Sequence, residues 1–219
     1  DETRIVLTGV LVSCVGSTLK MVATDSYRLA VSETELDSPC PEEFEAVIAG
    51  SFLQDIASLP QSEDPITIAL NDNQIVVTYR DTTFINRRIE GTFPNYKQLI
   101  AEGYSTRATL STHALTDAVR RVSLLSNKVS PVQVRVDAES GVITLLTNSQ
   151  DIGNAQENLI CEVDGESVDI AFNFTFMLDG LNSIDTDAVH LDLFGPMKPG
   201  ILRAAEGENF LYLIMPVRV

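Results

Sequence analysis

Two histidines, His113 and His190, are the only side chains here whose ordinary pKa suits proton transfer near neutrality. Catalysis would need a nucleophile for one of them to activate, a metal cluster or a phosphate cradle. The sequence holds no GxSxG, HExxH, GxxxxGK(S/T) or GxGxxG. His113 falls at the start of a helical pattern and His190 inside a strand pattern, so a solvated helix residue and a strand-face residue are expected. Cys14, Cys40 and Cys161 are widely separated and lack CxxC spacing, which implies neither a disulfide framework nor a zinc site. Asp25, Asp55, Asp179 and Asp192 stand near strand or helix ends, where turn stabilisation and solubility are their expected roles. An acidic, metal-dependent phosphotransferase on a β-rich scaffold is the catalytic alternative that such carboxylates leave open. The favoured reading is a non-enzymatic recognition protein, with no catalytic residue, no metal ligand and no cofactor.

The scaffold that must carry this recognition is 219 residues long, 44% hydrophobic, with a formal net charge of −16 from 15 Lys and Arg against 31 Asp and Glu. That length accommodates two domains, and that apolar share is ample for packed cores. The acidic surplus argues against gripping nucleic acid over the whole surface, because such binding scales with phosphates neutralised. One weakly basic face remains compatible with it. No run approaches the roughly 20 apolar residues of a membrane span, and no signal-peptide pattern opens the chain. A reducing cytoplasm and no membrane partner are the expectation.

Strand-sized, β-branched runs with turn punctuation dominate. RIVLTGVLV (4–12), LKMVATD (19–25), YRLAVSE (27–33), FEAVIA (44–49), ITIAL (66–70), QIVVTYR (74–80) and TFINRRI (83–89) fill the first half. VQVRV (132–136), VITLLTN (142–148), NLICEV (158–163), VDIAF (168–172), VHLDL (189–193), GILRA (200–204) and FLYLIMPV (210–217) fill the second. Asn71-Asp72-Asn73, Glu139-Ser140-Gly141 and Glu206-Gly207-Glu208 carry hairpin turn chemistry.

The halves repeat one another. Thr24-Asp25-Ser26 matches Thr147-Asn148-Ser149 at an offset of 123 (147 − 24), and Ile66-Thr67-Ile68 matches Val189-His190-Leu191 at 123 (189 − 66). Phe52-Leu53-Gln54-Asp55 matches Phe176-Met177-Leu178-Asp179 at 124 (176 − 52). Three ordered anchors at one period favour a duplicated domain. Short helices are expected over 51–59 and 175–184. A longer one is expected within ATLSTHALTDAVRRVSLLSN (108–127), where Ser111 can cap and Leu115, Ala118, Val119 and Val122 form one apolar stripe. Asp117 stands four residues before Arg121, placed to pair with it. The first copy's counterpart of that helix would precede residue 1, so the chain is expected to be a piece of a longer protein. The fold class is α+β, with antiparallel sheet on one side and helices on the other. The domains are expected at 1–98 and 99–219, joined through PNYKQLIAEGYSTR (94–107).

The chain closes on YLIMPVRV, an apolar run broken by a proline. Termini fray unless tied down, so an apolar end is either buried or held ready for another molecule.

VATDSYRLAV (22–31), IEGTFPNY (89–96), AFNFTFMLDGLN (171–182) and YLIMPVRV (212–219), in that order, resemble the bacterial sliding clamp, the β subunit of DNA polymerase III. The resemblance runs from about residue 4 to the end. It implies the second clamp-type domain without its first strand and helix, followed by the third, with antiparallel sheets outside and helices lining a DNA-facing side. It implies a replication processivity factor, a head-to-tail homodimeric ring when full length, that encircles duplex DNA without regard to sequence at the nucleoid. Its further partners would be the polymerase III catalytic subunit, the clamp loader and other proteins carrying clamp-binding peptides. The short fragment alone is not expected to close a ring.

By position, the resemblance implies a peptide groove between the two domains. Leu213, Ile214, Met215, Pro216, Val217 and Arg218 would form one wall. Arg4, Leu7, Thr24, Tyr27, Arg28, Leu29, Pro94 and Leu99 would face it, and Asn173, Phe176, Met197 and Pro199 would complete it. Arg120, Arg121 and Lys128 would face DNA, and Leu124 and Leu125 the dimer interface. The chain departs from many family members at Ser26-Tyr27, where Gly-His is common, at Phe176, where Tyr is usual, and at Gln98, often basic. Met side chains suit a pocket that accepts varied apolar anchors.

Overall fold

The computed structural model describes residues 4–125, 131–149, 153–207 and 209–218. It divides into two compact units, Asp1–Asp25 with Val31–Asn95, and Ser26–Ala30 with Tyr96–Val219. The division falls just before the 98/99 position expected from the sequence: Tyr96 is buried and opens a 3-10 turn over Lys97–Leu99.

The first unit contains β1 (Gly9–Val15), β2 (Thr18–Thr24), β3 (Arg28–Glu35, of which 31–35 belong here), β4 (Phe44–Ala49), α1 (Gly50–Ala57), β5 (Ile66–Leu70), β6 (Gln74–Tyr79) and β7 (Thr82–Ile89). Its strands run in the order β3-β2-β1-β4-β7-β6-β5, with β2–β1, β1–β4, β4–β7, β7–β6 and β6–β5 paired antiparallel. Residues 5–8 form a 3-10 turn, not the start of the strand that their β-branched run suggested, and β1 begins only at Gly9. Gly9 is required there, because a Cβ would collide with Val47 and Ile89 on the neighbouring strands. The β5–β6 turn is an Asx-turn, the Asn71 carboxamide oxygen accepting from the N–H groups of Asn73 and Gln74 at 3.2 and 2.7 Å. The core is small: Val12, Ala46, Ile48, Phe52, Ile75 and Val77.

The second unit contains β8 (Thr106–Ser111), α2 (Thr112–Ser123), β9 (Val132–Asp137), β10 (Val142–Ser149), β11 (Gly153–Ile160), β12 (Glu162–Gly165), β13 (Val168–Phe172), α3 (Phe174–Leu181), β14 (Ala188–Leu193), β15 (Gly200–Ala204) and β16 (Asn209–Ile214). One sheet runs β11-β10-β9-β13; in the other, β12-β8-β14-β15-β16, the residues opening β3 lie beside β16. The stretch NLICEV, expected as one strand, breaks at Cys161, whose N–H turns aside to donate to Gly141 O at 2.9 Å, and its two halves join different sheets.

Helix α2 begins where its cap predicts, the Ser111 hydroxyl accepting from Ala114 N–H at 3.3 Å. Its stripe of Leu115, Ala118, Val119 and Val122 is fully buried. That stripe packs with Met177 and Leu181 of α3 and with apolar residues of both sheets into one core. The duplication is visible in three dimensions, since β4–α1 recurs as β13–α3 and the hairpins β1–β2 and β5–β6 recur as β9–β10 and β14–β15.

Candidate functional site

The end of the chain is built by β16. Its last residues pair with β15, Ile201 opposite Leu213 and Gly200 opposite Ile214, which buries Leu213 and Ile214 to 2% and 1% exposure. Those two residues, expected to present a wall, support it from behind instead. Pro216 has no N–H to continue the ladder. The residues on either side of it turn their N–H groups outward: Met215 N–H donates to Tyr27 O at 2.9 Å, and Val217 N–H to Ala171 O at 2.8 Å. The tail is therefore tied on both sides, while the side chains of Met215 and Val217 stay 39% and 38% exposed.

Tyr27 and Arg28 complete this surface from within the second unit. Ser26 takes a φ of 77°, a left-handed conformation costly for a residue with a Cβ, and thereby turns Tyr27 outward to 65% exposure. The Tyr27 ring stacks on Phe176 with centroids 6.5 Å apart at 28°. The Arg28 guanidinium lies 4.4 Å from the Phe176 ring centroid, forms an ion pair with Asp179 and donates to the Tyr212 hydroxyl at 3.2 Å. Gly180 lets Tyr212 approach, because a Cβ there would fall on its ring. Phe176 is aimed by the cap of α3: the Asn173 carboxamide oxygen accepts from Thr175 and Phe176 N–H at 2.8 and 3.4 Å. Leu29, 1% exposed, points into the core.

Beside Val217 and Arg218 opens a cavity of about 340 Å³, lined also by Met197, Ile170, Leu146, Gln133, Arg135 and Asp169. Met197 is 55% exposed and Pro199 half-buried in the β14–β15 connection. An Arg135–Asp169 ion pair at 2.7 Å gives the cavity a charged rim. The site thus offers flexible apolar side chains, a stacked aromatic pair and a fixed guanidinium, the means to seat apolar and aromatic anchors of an extended peptide. The lining from β9, β10 and β13 is absent from the sequence expectation. One signal pointed to it, the paired Leu145-Leu146, which breaks the in–out alternation and leaves Leu146 on the outer face.

A family model for the DNA polymerase III beta subunit, C-terminal domain, matches residues 97–218, and one for the central domain of the same subunit matches residues 1–95. The chain belongs to the DNA polymerase III beta subunit family. A protein named beta sliding clamp from Synechocystis is 32% identical over 237 aligned residues, covering 100% of this chain and 60% of that protein. Another from Staphylococcus aureus is 32% identical over 220, covering 100% and 58%. The crystal structure of the DNA polymerase sliding clamp from Bacillus subtilis superposes with a TM-score of 0.94 at 28% identity, over 100% of this chain and 58% of that one. The chain therefore spans about 60% of the curated relatives it matches. None of these likenesses supports the phosphotransferase alternative.

The remaining candidate residues distribute over this family scaffold as follows. Arg4, Leu7, Thr24 and Pro94 belong to the first unit, where Leu7 is buried at 7% while Arg4 and Pro94 are exposed. Leu99 is 46% exposed on the 3-10 turn of the second unit. On α2, Asp117 does not pair with Arg121 as its spacing suggested. It lies 3.6 Å from Arg120 and 3.6 Å from His113, while Arg121 forms a two-pronged bond to Glu157 of β11 at 2.8 and 3.3 Å. The Arg121 hydrogen bonds hold the Glu157 carboxyl below its usual range and push the guanidinium's pKa up. Arg120 also donates to Asn182 at 3.0 Å. Leu124 is 79% exposed just past the helix, and Leu125 is half-buried. Lys128 lies outside the described residues.

Asp192, expected near a strand end for solubility, is instead fully buried, held by Arg107 at 2.6 and 2.8 Å and by Arg203 at 3.1 Å. His190 bonds Thr109 at 2.8 Å, and burial, then Arg107, keep its pKa below 6.5. Among the described residues no three His, Cys, Asp or Glu side chains converge as a metal site would require.

Proposed function

We propose that this chain works as the corresponding part of a DNA sliding clamp, a non-enzymatic processivity factor that docks linear peptides of replication proteins. The carrying observation is the surface on which the hydrogen-bonded tail holds Met215 and Val217 beside Tyr27, Arg28 and Phe176. Family membership supplies the biological setting. In this reading Met215, Val217 and Met197 receive an aliphatic anchor, and Tyr27 and Phe176 flank an aromatic one. Leu213, Ile214 and Leu29 keep the surface rigid.

The partners are the polymerase III catalytic subunit, the clamp loader and other proteins with clamp-binding peptides, in the cytoplasm at the nucleoid. Duplex DNA is enclosed by a homodimeric ring of the whole protein and needs no tight grip. Arg120 and Arg121 meet phosphates only loosely, since acidic or amide partners already hold both and contacts that exchange freely do not stall sliding. Exposed Leu124, with Leu125, supplies apolar contact for ring closure.

Fluorescence anisotropy with a labelled peptide containing Gln-Leu-Ser-Leu-Phe tests the docking role. Removing residues 215–219 should weaken binding at least about ten-fold, the loss of one anchor's worth of contact. The circular dichroism spectrum should persist. Equal affinity before and after truncation would remove the tail from the site.

A further inference from the structure

The first unit carries a pair of thiols that the docking surface does not use. Cys14 is the penultimate residue of β1, 1% exposed, and Cys40 lies half-buried in the segment between β3 and β4. That segment wraps the β1–β2 hairpin turn: Leu36 N–H donates to Ser17 O at 2.7 Å and Cys40 N–H to Gly16 O at 2.8 Å. The Cys14 sulfur lies 4.0 Å from the same Gly16 carbonyl. Both cysteines line one cavity of about 610 Å³, which the segment partly roofs with Leu36, Pro39 and Pro41. Burial and the neighbouring Cys40 push the Cys14 thiol up to about 11. Buried Cys161 belongs to the other unit.

We propose that Cys14 and Cys40 form a reversible disulfide that locks the 36–43 segment onto the β1–β2 hairpin when a small-molecule disulfide such as oxidised glutathione is in excess. The more accessible Cys40 reacts first, its thiolate attacking glutathione disulfide to give a mixed disulfide and one glutathione thiol. The Cys14 thiolate then attacks the Cys40 sulfur, the protein S–S bond forms, and the second glutathione leaves. Two protein thiols are oxidised, one glutathione disulfide is reduced to two thiols, and the two protons end on them. The high pKa of Cys14 makes the second step slow at neutrality and faster as pH rises. The product closes a loop from residue 14 to residue 40, a constraint that favours the folded unit.

The test is incubation of the native protein with excess oxidised glutathione, followed by thiol counting after denaturation and by non-reducing peptide mapping. The chain has three cysteines. The expected result is one remaining thiol, at Cys161, a peptide linking Cys14 to Cys40, and a melting midpoint for the first unit raised by about 5 °C or more, reversed by reductant. Cys161→Ser should leave the link intact, whereas Cys40→Ser should retain both other thiols and show no rise. Three unreacted thiols, a glutathione adduct that stops at Cys40, or a link that includes Cys161 would each overturn the proposal.

Discussion

The two units follow one plan at an offset of 123 to 124 residues and differ in what covers and decorates it. In the second unit, α2 lays four fully buried side chains across both sheets, and β8 pairs with β14. In the first, among the described residues, no strand–helix pair occupies those positions. There β5, the counterpart of β14, is an edge with Ile66 47% exposed, whereas β14 is buried along most of its length. The same contrast appears in charge. Asp192 and its two arginines fill a position that is Ala69 in the first copy (192 − 123), and Asn173, which caps α3, corresponds to Ala49 (173 − 49 = 124), which caps α1 with no side-chain bond. A shared backbone plan thus fixes where elements lie, and the chemistry sits where the copies diverge.

Mutations that make the second unit resemble the first should break this contrast in graded steps. The largest effect is expected from Leu115→Ala, which empties the centre of the α2 stripe and should destabilise the second unit by about 3 kcal/mol in denaturant unfolding. Next comes Asp192→Asn, which leaves two guanidiniums around a neutral amide and should lower stability by about 2 kcal/mol, with Arg107 and Arg203 both still folded into place. Asn173→Ala copies the uncapped start of α1 and should cost about 1 kcal/mol, while Ala49→Asn in the first unit should gain a few tenths or more. The smallest effect is a pH term. Because the folded pKa of His190 lies below 6.5, its contribution to stability is complete above pH 6.5 and is lost as pH falls from there through the lowered folded value. His190→Thr, copying Thr67 of the first copy, should remove that component from a series of melts between pH 7 and pH 5, leaving the carboxylate-driven loss at lower pH unchanged.

Much of this architecture is legible in residue order because strands and capped helices are specified locally. The α2 stripe and its Ser111 cap lie within one stretch, and the β-branched runs with Asx-rich turns fix most hairpins. The exceptions share a cause in contacts between residues distant along the chain. NLICEV splits because Gly141 O captures the Cys161 N–H. The Arg121–Glu157 pair links a helix to a strand 36 residues later, against the nearer Asp117 that helical spacing favours. At the candidate site, exposed Met215 and Val217 could be placed by pattern. The burial of Leu29, Leu213 and Ile214, and the lining contributed by Leu146, Arg135 and Asp169, depend on sheet packing that no local pattern records.

The four methionines allow the central claim to be tested in one spectrum. Met197 and Met215 border the proposed docking surface, Met177 is buried in the second core, and Met21 lies on β2 of the first unit. With the methionine methyl groups labelled with carbon-13, the protein would be titrated with the Gln-Leu-Ser-Leu-Phe peptide. The Met197 and Met215 signals should move together and saturate at one affinity while Met21 stays in place. Unmoved Met197 and Met215 signals alongside clear peptide binding would show that the peptide sits elsewhere and would contradict the account.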